Sequence, residues 1–240
     1  MKVAKKLTDA PGLYFADAPT MVYGIVNKIK NPNFTGTGSS ATGWQNYTSG
    51  STAIGTRSYA DSKLTLTATQ LTSTTSLRRR FGVVVAGTQS SNASNSVRLK
   101  AGDRVLLRFK IDTSAVDPAT RPFIYHEVRG ISGTPISYVE TSVVSGGYIH
   151  TSYVATGNAY FNTYCIIGLT SDADFSGSST LVVSEAIWVH LKADDPDPDW
   201  FDGDSAGAQW LGTPYNSYSM IGKWRQANTM RFNGTEWVDG

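Results

Sequence analysis

The sequence is poor in the residue types that most often carry catalysis or hold metals. Cys165 is the only cysteine in 240 residues, which excludes an intramolecular disulfide and the ligation of a metal by two cysteines of one chain. It lies in the apolar run YCIIGL, which indicates a small buried hydrophobic residue. There are 3 histidines, His126, His150 and His190, and each lies in a predicted strand. We therefore predict no metal site and no cofactor.

The motifs of common enzyme classes are also missing. The sequence has no G-x-S-x-G elbow, no P-loop and no H-E-x-x-H motif. Gly36-x-Gly38 superficially resembles a dinucleotide loop, but no strand and helix frame it. Residues 195–199 begin like an EF-hand loop, yet Trp200 stands where glycine is required and Ala206 where the bidentate glutamate belongs. No spacing of carboxylates favours glycoside hydrolysis, and we expect the chain not to be an enzyme.

Long apolar runs and a signal sequence are absent as well. No run approaches the roughly 18 apolar residues that a membrane span requires, and the start MKVAKKLTDAPG lacks the apolar region of a signal peptide. These features predict synthesis in a cytoplasm, without membrane insertion or secretion by a signal peptide. Basic residues outnumber acidic ones by roughly four to one up to Lys110, and acidic residues predominate beyond it. We interpret the basic residues of the first half and the acidic residues of the second half as pairing with each other within one fold. We therefore expect no nucleic-acid partner.

What the sequence does contain is typical of a β-sandwich. Gly, Ser and Thr are plentiful, 40% of the residues are hydrophobic, and long runs of Leu, Ala, Glu and Lys are absent. Turn-rich segments separate eight candidate strands, several of which alternate with period two, as Val105, Leu107 and Phe109 do. The candidate strands are residues 62–69, 77–86, 103–112, 122–130, 137–144, 148–155, 159–169 and 180–191. They predict an all-β fold, an antiparallel β-sandwich.

The sandwich is predicted to lie between two irregular ends. We divide the chain into an N-terminal arm (1–30), the sandwich (31–193) and a C-terminal extension (194–240). Both ends are rich in Pro, Gly and Asp but also carry many aromatic residues. Fixing the backbone of one residue costs roughly 1–2 kcal/mol, so we expect such segments to be ordered by burial against a second copy or a docked partner. The candidate assembly residues are Trp200, Phe201, Trp210, Tyr215 and Trp237.

The end of the chain also contains a hairpin signal. Asn233-Gly234 lies between two strand-like segments, and this dipeptide is the preferred centre of a two-residue hairpin turn. We therefore predict a terminal hairpin with two residues in its turn.

One segment of the extension carries a family resemblance. FDGDSAGAQWLGTPYNSYS (201–219) resembles a segment that recurs in minor tail proteins of phages that infect actinobacteria, where an aromatic-Asp-Gly-Asp run precedes Trp-x-Gly-Thr and spaced serines. This chain has those residues in the same order: Phe201, Asp202, Gly203, Asp204, Trp210, Gly212, Thr213, Ser217 and Ser219. The resemblance implies a virion protein of the phage tail, made in the host cytoplasm, with other tail proteins as partners.

A second resemblance concerns the sandwich. Its start, NPNFTGTGSSATGW (31–44), resembles the opening of the carbohydrate-binding jelly rolls found on glycosidases and in phage tail proteins. Residues 97–103 resemble the turn before the long central strand of that family, and residues 175–177 resemble the start of its final return strand. The resemblance implies a jelly roll in which Phe34 and Trp44 are core residues.

The sequence departs from that family at a calcium site. In many of these jelly rolls, a glutamate after the first phenylalanine and an acid in the last strand help to hold a structural calcium. Here Thr35 stands at the first position, although Glu185 lies near the second. Because calcium needs six to eight oxygen ligands, several of them carboxylate, we predict no calcium site.

Two predicted strands carry side chains suited to sugars. Sugars present C–H faces that pack on aromatic rings and hydroxyls that polar side chains bind, and such sites combine apolar surface with a few placed polar groups. The candidate glycan-contacting residues are Tyr125, Glu127 and Arg129 on one strand, and Tyr160, Asn162 and Tyr164 on the other. The alternative is that the tyrosines cover sheet faces and subunit contacts.

Taken together, these features predict a phage minor tail protein with a structural and adhesive role. We expect a homo-oligomer that contacts host cell-wall polysaccharide during host attachment. One alternative is a purely structural head or tail decoration protein. Another is the carbohydrate-binding module of a secreted glycosidase, against which the missing signal peptide and catalytic domain argue.

Overall fold

The computed structural model describes residues 13–15, 20–49, 52–73, 79–85, 97–129, 135–206, 208–217, 219–225, 229–232 and 237–239. The regular elements assigned in these ranges are all β-strands, and the strand pairs described below are antiparallel. The predicted all-β, antiparallel fold is therefore confirmed. Within the same ranges there is no helix long and apolar enough to cross a membrane.

The chain forms two compact units, one made of Met1–Ile25 with Ile221–Gly240 and one made of Val26–Met220. The first contains a three-stranded sheet in the order β1–β19–β20, whose strands are β1 (Leu13–Phe15), β19 (Thr229–Phe232) and β20 (Trp237–Asp239). Phe232 pairs with Trp237, so four residues separate the paired ends of the terminal hairpin. The strand pairing of the terminal hairpin is confirmed, but this register differs from that of a two-residue turn at Asn233-Gly234, which would pair Phe232 with Thr235. The turn residues 233–236 lie outside the described residues. The predicted boundaries at 30/31 and 193/194 stay predictions.

The larger sheet has nine strands in the order β13–β14–β10–β16–β2–β18–β17, with β7 also paired to β16 and β6 paired to β7. The boundary between the two units falls within β2 and β18. The strands of the nine-stranded sheet are β2 (Thr20–Asn27), β6 (Thr52–Ala60), β7 (Lys63–Thr72), β10 (Arg104–Asp112), β13 (Val144–Ser145), β14 (Tyr148–Val154), β16 (Phe175–Leu191), β17 (Ala208–Trp210) and β18 (Ser219–Arg225).

The second sheet has six strands in the order β12–β11–β15–β8–β5, with β9 also paired to β15. Its strands are β5 (Trp44–Ser49), β8 (Arg79–Val85), β9 (Val97–Leu99), β11 (Arg121–Arg129), β12 (Pro135–Thr141) and β15 (Ala159–Ser171). A short two-stranded sheet of β3 (Gly36–Thr37) and β4 (Ser40–Ala41) precedes β5.

The core lies between the nine-stranded and the six-stranded sheets, because alternate residues of both contribute to one buried cluster. The nine-stranded sheet supplies Leu64, Leu66, Val105, Leu107, Phe109, Leu181 and Val183, and the six-stranded sheet supplies Phe81, Val83, Val85, Ile124, Cys165, Ile167 and Leu169. The period-two pattern of the sequence therefore identified the inward faces, as expected when one face of each strand is buried.

All eight predicted strands are present, with boundaries shifted by a few residues. The clearest omissions were β5 and β6, whose sequences WQNYTS and TAIGTRSYA contain few large apolar residues. Their pairing with β8 and β7, rather than their hydrophobicity, makes them strands. The three histidines lie in β11, β14 and β16, as predicted.

The entry into the sandwich is an aromatic stack. The rings of Phe34 and Trp44 are stacked with centroids 4.7 Å apart, and Phe34 is fully buried. The indole Nε1 of Trp44 donates a hydrogen bond to the carbonyl of Asn31 at 3.0 Å. Phe34 has a φ of 54°, a left-handed conformation that bulky residues rarely adopt. Both rings are core residues, as predicted.

Two reactive side chains are buried in this core. His126 pairs with Cys165 across β11 and β15, and both are fully buried. Burial raises the pKa of the Cys165 thiol well above its usual value, so the cysteine is the buried apolar residue that the sequence predicted. Neither ring nitrogen of His126 has a hydrogen-bond partner, and burial lowers its pKa to about 4.

Candidate functional site

The predicted glycan patch lies on β11 and β15 of the six-stranded sheet. These strands are paired, and the register places Arg129 opposite Tyr160 and Tyr125 opposite Ile166. The sheet therefore brings the two halves of the patch onto adjacent strands. Only Tyr125 has its side chain among the described residues. The side chains of Glu127, Arg129, Tyr160, Asn162 and Tyr164 lie outside them.

Tyr125 is half-buried on the outer face of the six-stranded sheet. It packs against a small apolar cluster of Val84, Phe123 and Ile166, residues that alternate with the inward-facing ones. The guanidinium of Arg80 lies 4.8 Å from the ring centroid of Phe123 and 5.8 Å from that of Tyr125. At these distances a cation is attracted to the face of an aromatic ring.

Arg80 is also paired with an acid beside Tyr125. Its Nη2 donates to Glu140 Oε2 at 2.6 Å, and the side chains of Arg80 and Glu140 are 8% and 25% exposed. Glu140 lies opposite Tyr125 in the register between β12 and β11. An aromatic ring thus stands next to a planar donor and a carboxylate acceptor, which are the groups that bind sugar hydroxyls.

The sequence prediction missed Arg80 and Glu140. Each lies in a strand that was predicted correctly, so a period-two count would have placed both on a definite face. Their proximity to Tyr125 depends on strand order, because β8 and β11 both pair with β15.

A separate pocket of about 390 Å³ lies at β10, β16 and the β6–β7 turn. We call it the Trp200 pocket. It is lined mainly by polar residues together with one aromatic ring: Asn33, Asp61, Ser62, Lys63, Lys110, Ile111, Asp112, Val182, Ser184, Glu185 and Trp200. Trp200 is half-buried, and its indole Nε1 is buried without a hydrogen-bond partner.

The charges of the Trp200 pocket are of both signs and partly paired. Lys110 Nζ donates to Glu185 Oε1 at 2.7 Å, and this hydrogen bond and charge raise the pKa of Lys110. The hydrogen bonds that Ser114 donates, with a smaller contribution from the charge of Lys63, lower the pKa of Asp112. Lys110 and Asp112 are therefore charged near neutral pH, and the lining carries groups of both signs.

Three lining residues of the Trp200 pocket have unfavourable backbone conformations. Asp61 and Ser62, which form the two-residue turn between β6 and β7, have φ values of 51° and 57°. Glu185, where the register between β10 and β16 shifts, has a φ of 50°. Left-handed conformations of residues other than glycine are costly, and they concentrate at functional sites.

The segment that carries Trp200 is bound to the outer side of β10. Arg104 Nη1 donates to Asp197 Oδ1 at 2.7 Å, and its Nη2 donates to the carbonyl of Asp195. Arg108 Nη2 donates to the carbonyl of Pro198 at 2.9 Å. The two arginines hold residues 195–198 in place, and this positions Trp200 at the pocket.

The segment that resembles phage tail proteins is held by two aspartates. Asp202 Oδ1 accepts hydrogen bonds from the backbone of Asp204 and from the hydroxyl of Ser205. Asp204 accepts from Trp210 Nε1 at 3.0 Å and from the Tyr215 hydroxyl at 2.6 Å. These hydrogen bonds lower the pKa of Asp204. The spacing of the motif thus matches a local network of contacts.

Glycine is required within this network. A Cβ on Gly203 would lie 2.2 Å from the ring of Trp210, a distance that real side chains do not reach. The rings of Trp210 and Tyr215 meet edge to face with centroids 5.1 Å apart, an arrangement favoured by aromatic pairs.

The five candidate assembly residues have different environments. Phe201 is buried within its own chain, and its carbonyl accepts a hydrogen bond from Asn27 Nδ2 at 3.4 Å. Trp210 and Tyr215 are half-buried, and Trp200 lines the pocket. Trp237 lies in β20, with its side chain outside the described residues.

The positions that correspond to the calcium site are bonded to protein groups. The Thr35 hydroxyl donates to Asn33 Oδ1 at 2.8 Å, and the Glu185 carboxylate is bound by Lys110 and by the Tyr148 hydroxyl. In the part of the chain that the structure describes, no group of three or more His, Cys, Asp or Glu residues could hold a metal ion.

Comparison with known proteins finds distant structural likenesses. No family model matches the chain, and no curated protein matches its sequence. An arabinose-bound α-L-arabinofuranosidase aligns over 72% of this chain and 29% of its own, with 12% identity and a TM-score of 0.38. Carbohydrate-binding modules of a β-sandwich superfamily align over 62% of this chain and 58% of theirs, with 10% identity and a TM-score of 0.28. The chain spans less than two thirds of either, and similarity at this level assigns no function.

Proposed function

We propose that this chain is a structural and adhesive protein of a phage tail whose β-sandwich binds host cell-surface glycans. The place in the virion rests on the resemblance of residues 201–219 to minor tail proteins. The observation that carries the binding role is the half-buried ring of Tyr125 beside the Arg80–Glu140 pair.

This arrangement can bind a sugar without rearranging. Arg80 donates a hydrogen bond to Glu140, and the Arg80 guanidinium lies over the ring of Phe123. The donors of Arg80 and the acceptors of Glu140 are therefore already oriented. A bound hydroxyl can donate to the carboxylate and accept from the guanidinium. Preorganised groups of this kind reduce the entropy lost on binding. The surface that Tyr160 and Tyr164 would add is part of the same proposal.

The test is binding of purified protein to host cell-wall polysaccharide. We expect a variant with Tyr125→Ala and Tyr160→Ala to bind the polysaccharide about tenfold or more weakly, because aromatic contacts carry much of the energy of such interfaces. Tyr153→Ala, which removes a half-buried tyrosine of β14 on the nine-stranded sheet, is the matched control. Circular dichroism should show that all variants are folded.

Two outcomes would contradict the proposal in different ways. If the wild-type protein binds no wall polysaccharide, the adhesive role is wrong. If the double variant binds as well as the wild type, the role stands but the site does not include this face.

A purely structural role is the second candidate, and the loop at residues 208–217 favours it. Trp210 and Tyr215 are held rigidly by Asp204, and Leu211 beside them is 49% exposed. We propose that this loop contacts a second copy of the chain or another tail protein. Phe201 cannot contribute to such an interface without leaving its buried position.

The oligomeric state tests this assembly role. We expect full-length protein to be oligomeric in size-exclusion chromatography with light scattering, and Trp210→Ala with Leu211→Ser to shift it toward the monomer. Val154→Ser, at an exposed apolar residue of β14 outside this segment, is the control. A full-length protein that stays monomeric at all accessible concentrations would show that this surface does not join copies of the chain.

A further inference from the structure

We propose that the Trp200 pocket binds an uncharged sugar, at a site separate from the Tyr125 face. The pocket lies on the nine-stranded sheet, whereas Tyr125 lies on the six-stranded one. The inference therefore goes beyond the proposed function and does not depend on the Tyr125 face.

The pocket carries charged groups of both signs, three carboxylates and two ammonium groups, so neither a cation nor an anion would meet one sign alone. A cation would meet the ammonium groups of Lys63 and Lys110, and an anion would meet the carboxylates of Asp61, Asp112 and Glu185. An uncharged ligand with several hydroxyls is repelled by neither set. Each hydroxyl has one donor and two acceptor positions, so it can donate to a carboxylate and accept from an ammonium group at once.

Trp200 adds the features that favour a sugar over a simpler polar molecule. Its half-buried ring provides an apolar surface for the C–H face of a pyranose or furanose ring. Its Nε1 is buried without a partner, and buried donors in native proteins are nearly always hydrogen-bonded. Because Nε1 itself has almost no accessible surface, the ring is the part of Trp200 that the ligand would contact.

The size and construction of the pocket agree with this ligand. Its volume of about 390 Å³ lies near the lower end of the range for ligand sites, roughly 300–1,000 Å³, so it suits a monosaccharide or disaccharide. Arg104 and Arg108 hold the segment that carries Trp200. The ion pair of Lys110 with Glu185 orients two polar groups of the lining before any ligand arrives.

The experiment follows the indole N–H signals of the 15N-labelled full-length protein by NMR. The probes are the methyl glycosides of glucose, galactose, mannose and arabinose, together with glucuronate and glucosamine. We expect at least one uncharged glycoside to shift the Trp200 signal, which is assigned by its loss in Trp200→Phe. The signals of Trp44 and Trp210 should not move, since their Nε1 groups already donate to Asn31 and Asp204.

Two tryptophan substitutions on the same strand give a matched pair. Ser184 lines the pocket, and Ser176 is an exposed serine of β16 outside it. Ser184→Trp should fill the pocket and abolish the shift, whereas Ser176→Trp should leave it intact. Asp112→Asn should weaken the affinity by about tenfold, the effect of losing one hydrogen bond to a charged group. The Tyr125→Ala, Tyr160→Ala variant should keep the shift, which separates this site from the Tyr125 face.

Three results would overturn the proposal. The first is that no uncharged glycoside shifts the Trp200 signal at millimolar concentrations. The second is that glucuronate or glucosamine binds as tightly as the best uncharged glycoside, which would contradict the charge argument. The third is that Ser184→Trp leaves the response unchanged, which would place the ligand elsewhere. None of these results bears on wall binding by the Tyr125 face, so the two proposals can fail separately.

Discussion

Acidification from pH 7 to pH 4 should cost the wild-type protein about 3 kcal/mol more stability than it costs a His126→Phe variant. His126 is fully buried, and burial lowers its pKa to about 4. In the unfolded chain a histidine titrates near pH 6.5. Between these values the unfolded state binds a proton that the native state does not bind. The contribution is therefore fully present above about pH 6.5 and is lost progressively as the pH falls to about 4.

The phenylalanine variant isolates this effect. Neither nitrogen of His126 has a partner, so the substitution breaks no hydrogen bond, and a ring of similar size still packs 6.2 Å from Trp188. Replacing an unpaired buried polar group by an apolar one is nearly neutral or stabilising. Urea unfolding at several pH values between about 7.5 and 4 gives the two stability curves, provided unfolding stays two-state.

The other histidines serve as internal references. Burial also lowers the pKa of His190, although the hydrogen bond and charge of Asp103 oppose the change. The effect of His190 on stability is common to the wild type and His126→Phe, so it cancels when their stabilities are subtracted. His150→Phe, at an exposed residue of β14, is the matched histidine-to-phenylalanine control. Parallel curves for the wild type and His126→Phe would mean that His126 titrates alike in the native and unfolded states.

Trp44→Ala should reduce the free energy of unfolding by about 3–5 kcal/mol. Trp44 is only 6% exposed and stacks on Phe34, and its removal leaves a large cavity in the core. It also leaves the Asn31 carbonyl without the hydrogen bond that Trp44 donates. The loss of the stack further removes a contact that holds Phe34 in its left-handed conformation.

The loss should appear as a fall in Tm of roughly 10 °C for a chain of this size. Trp44→Phe keeps a ring in the stack but removes the donor, so its cost should be smaller, about 1–3 kcal/mol. Calorimetry on the three proteins gives the comparison. An alanine variant that melts within a degree or two of the wild type would show that this stack does not stabilise the sandwich.

The strands that alternate with period two could be predicted because their burial is set locally. A strand with one buried face needs an apolar residue at every second position, and β7, β10 and the part of β16 with Leu181 and Val183 follow this pattern. The burial of Trp44 was predicted differently, from the resemblance of residues 31–44 to the opening of carbohydrate-binding jelly rolls. Strands β5 and β6 lack this signal and exist because their neighbours provide hydrogen bonds along their whole length.

The candidate sites contain groupings of residues that the sequence could not predict. Tyr125 could be assigned to a strand face, but Arg80 and Glu140 reach it only because β8, β15, β11 and β12 are adjacent in the sheet. The Trp200 pocket collects Asn33, Asp61, Lys110, Glu185 and Trp200 from five separate segments. No local pattern signals such a pocket, because the residues that line it meet only through strand order and through the binding of residues 195–198 to β10.

The amino-acid sequence by itself thus determined the all-β class, the inward residues of the long strands and the burial of Cys165, because each depends on hydrophobicity at short range. The burial of Phe34 and Trp44 was implied by the family resemblance. The tertiary structure alone decided that Phe201 is buried in its own chain and that His126 has no hydrogen-bond partner. It also decided the four-residue separation at the terminal hairpin. These features depend on which distant groups come together, and that follows from the pairing of strands far apart in the chain.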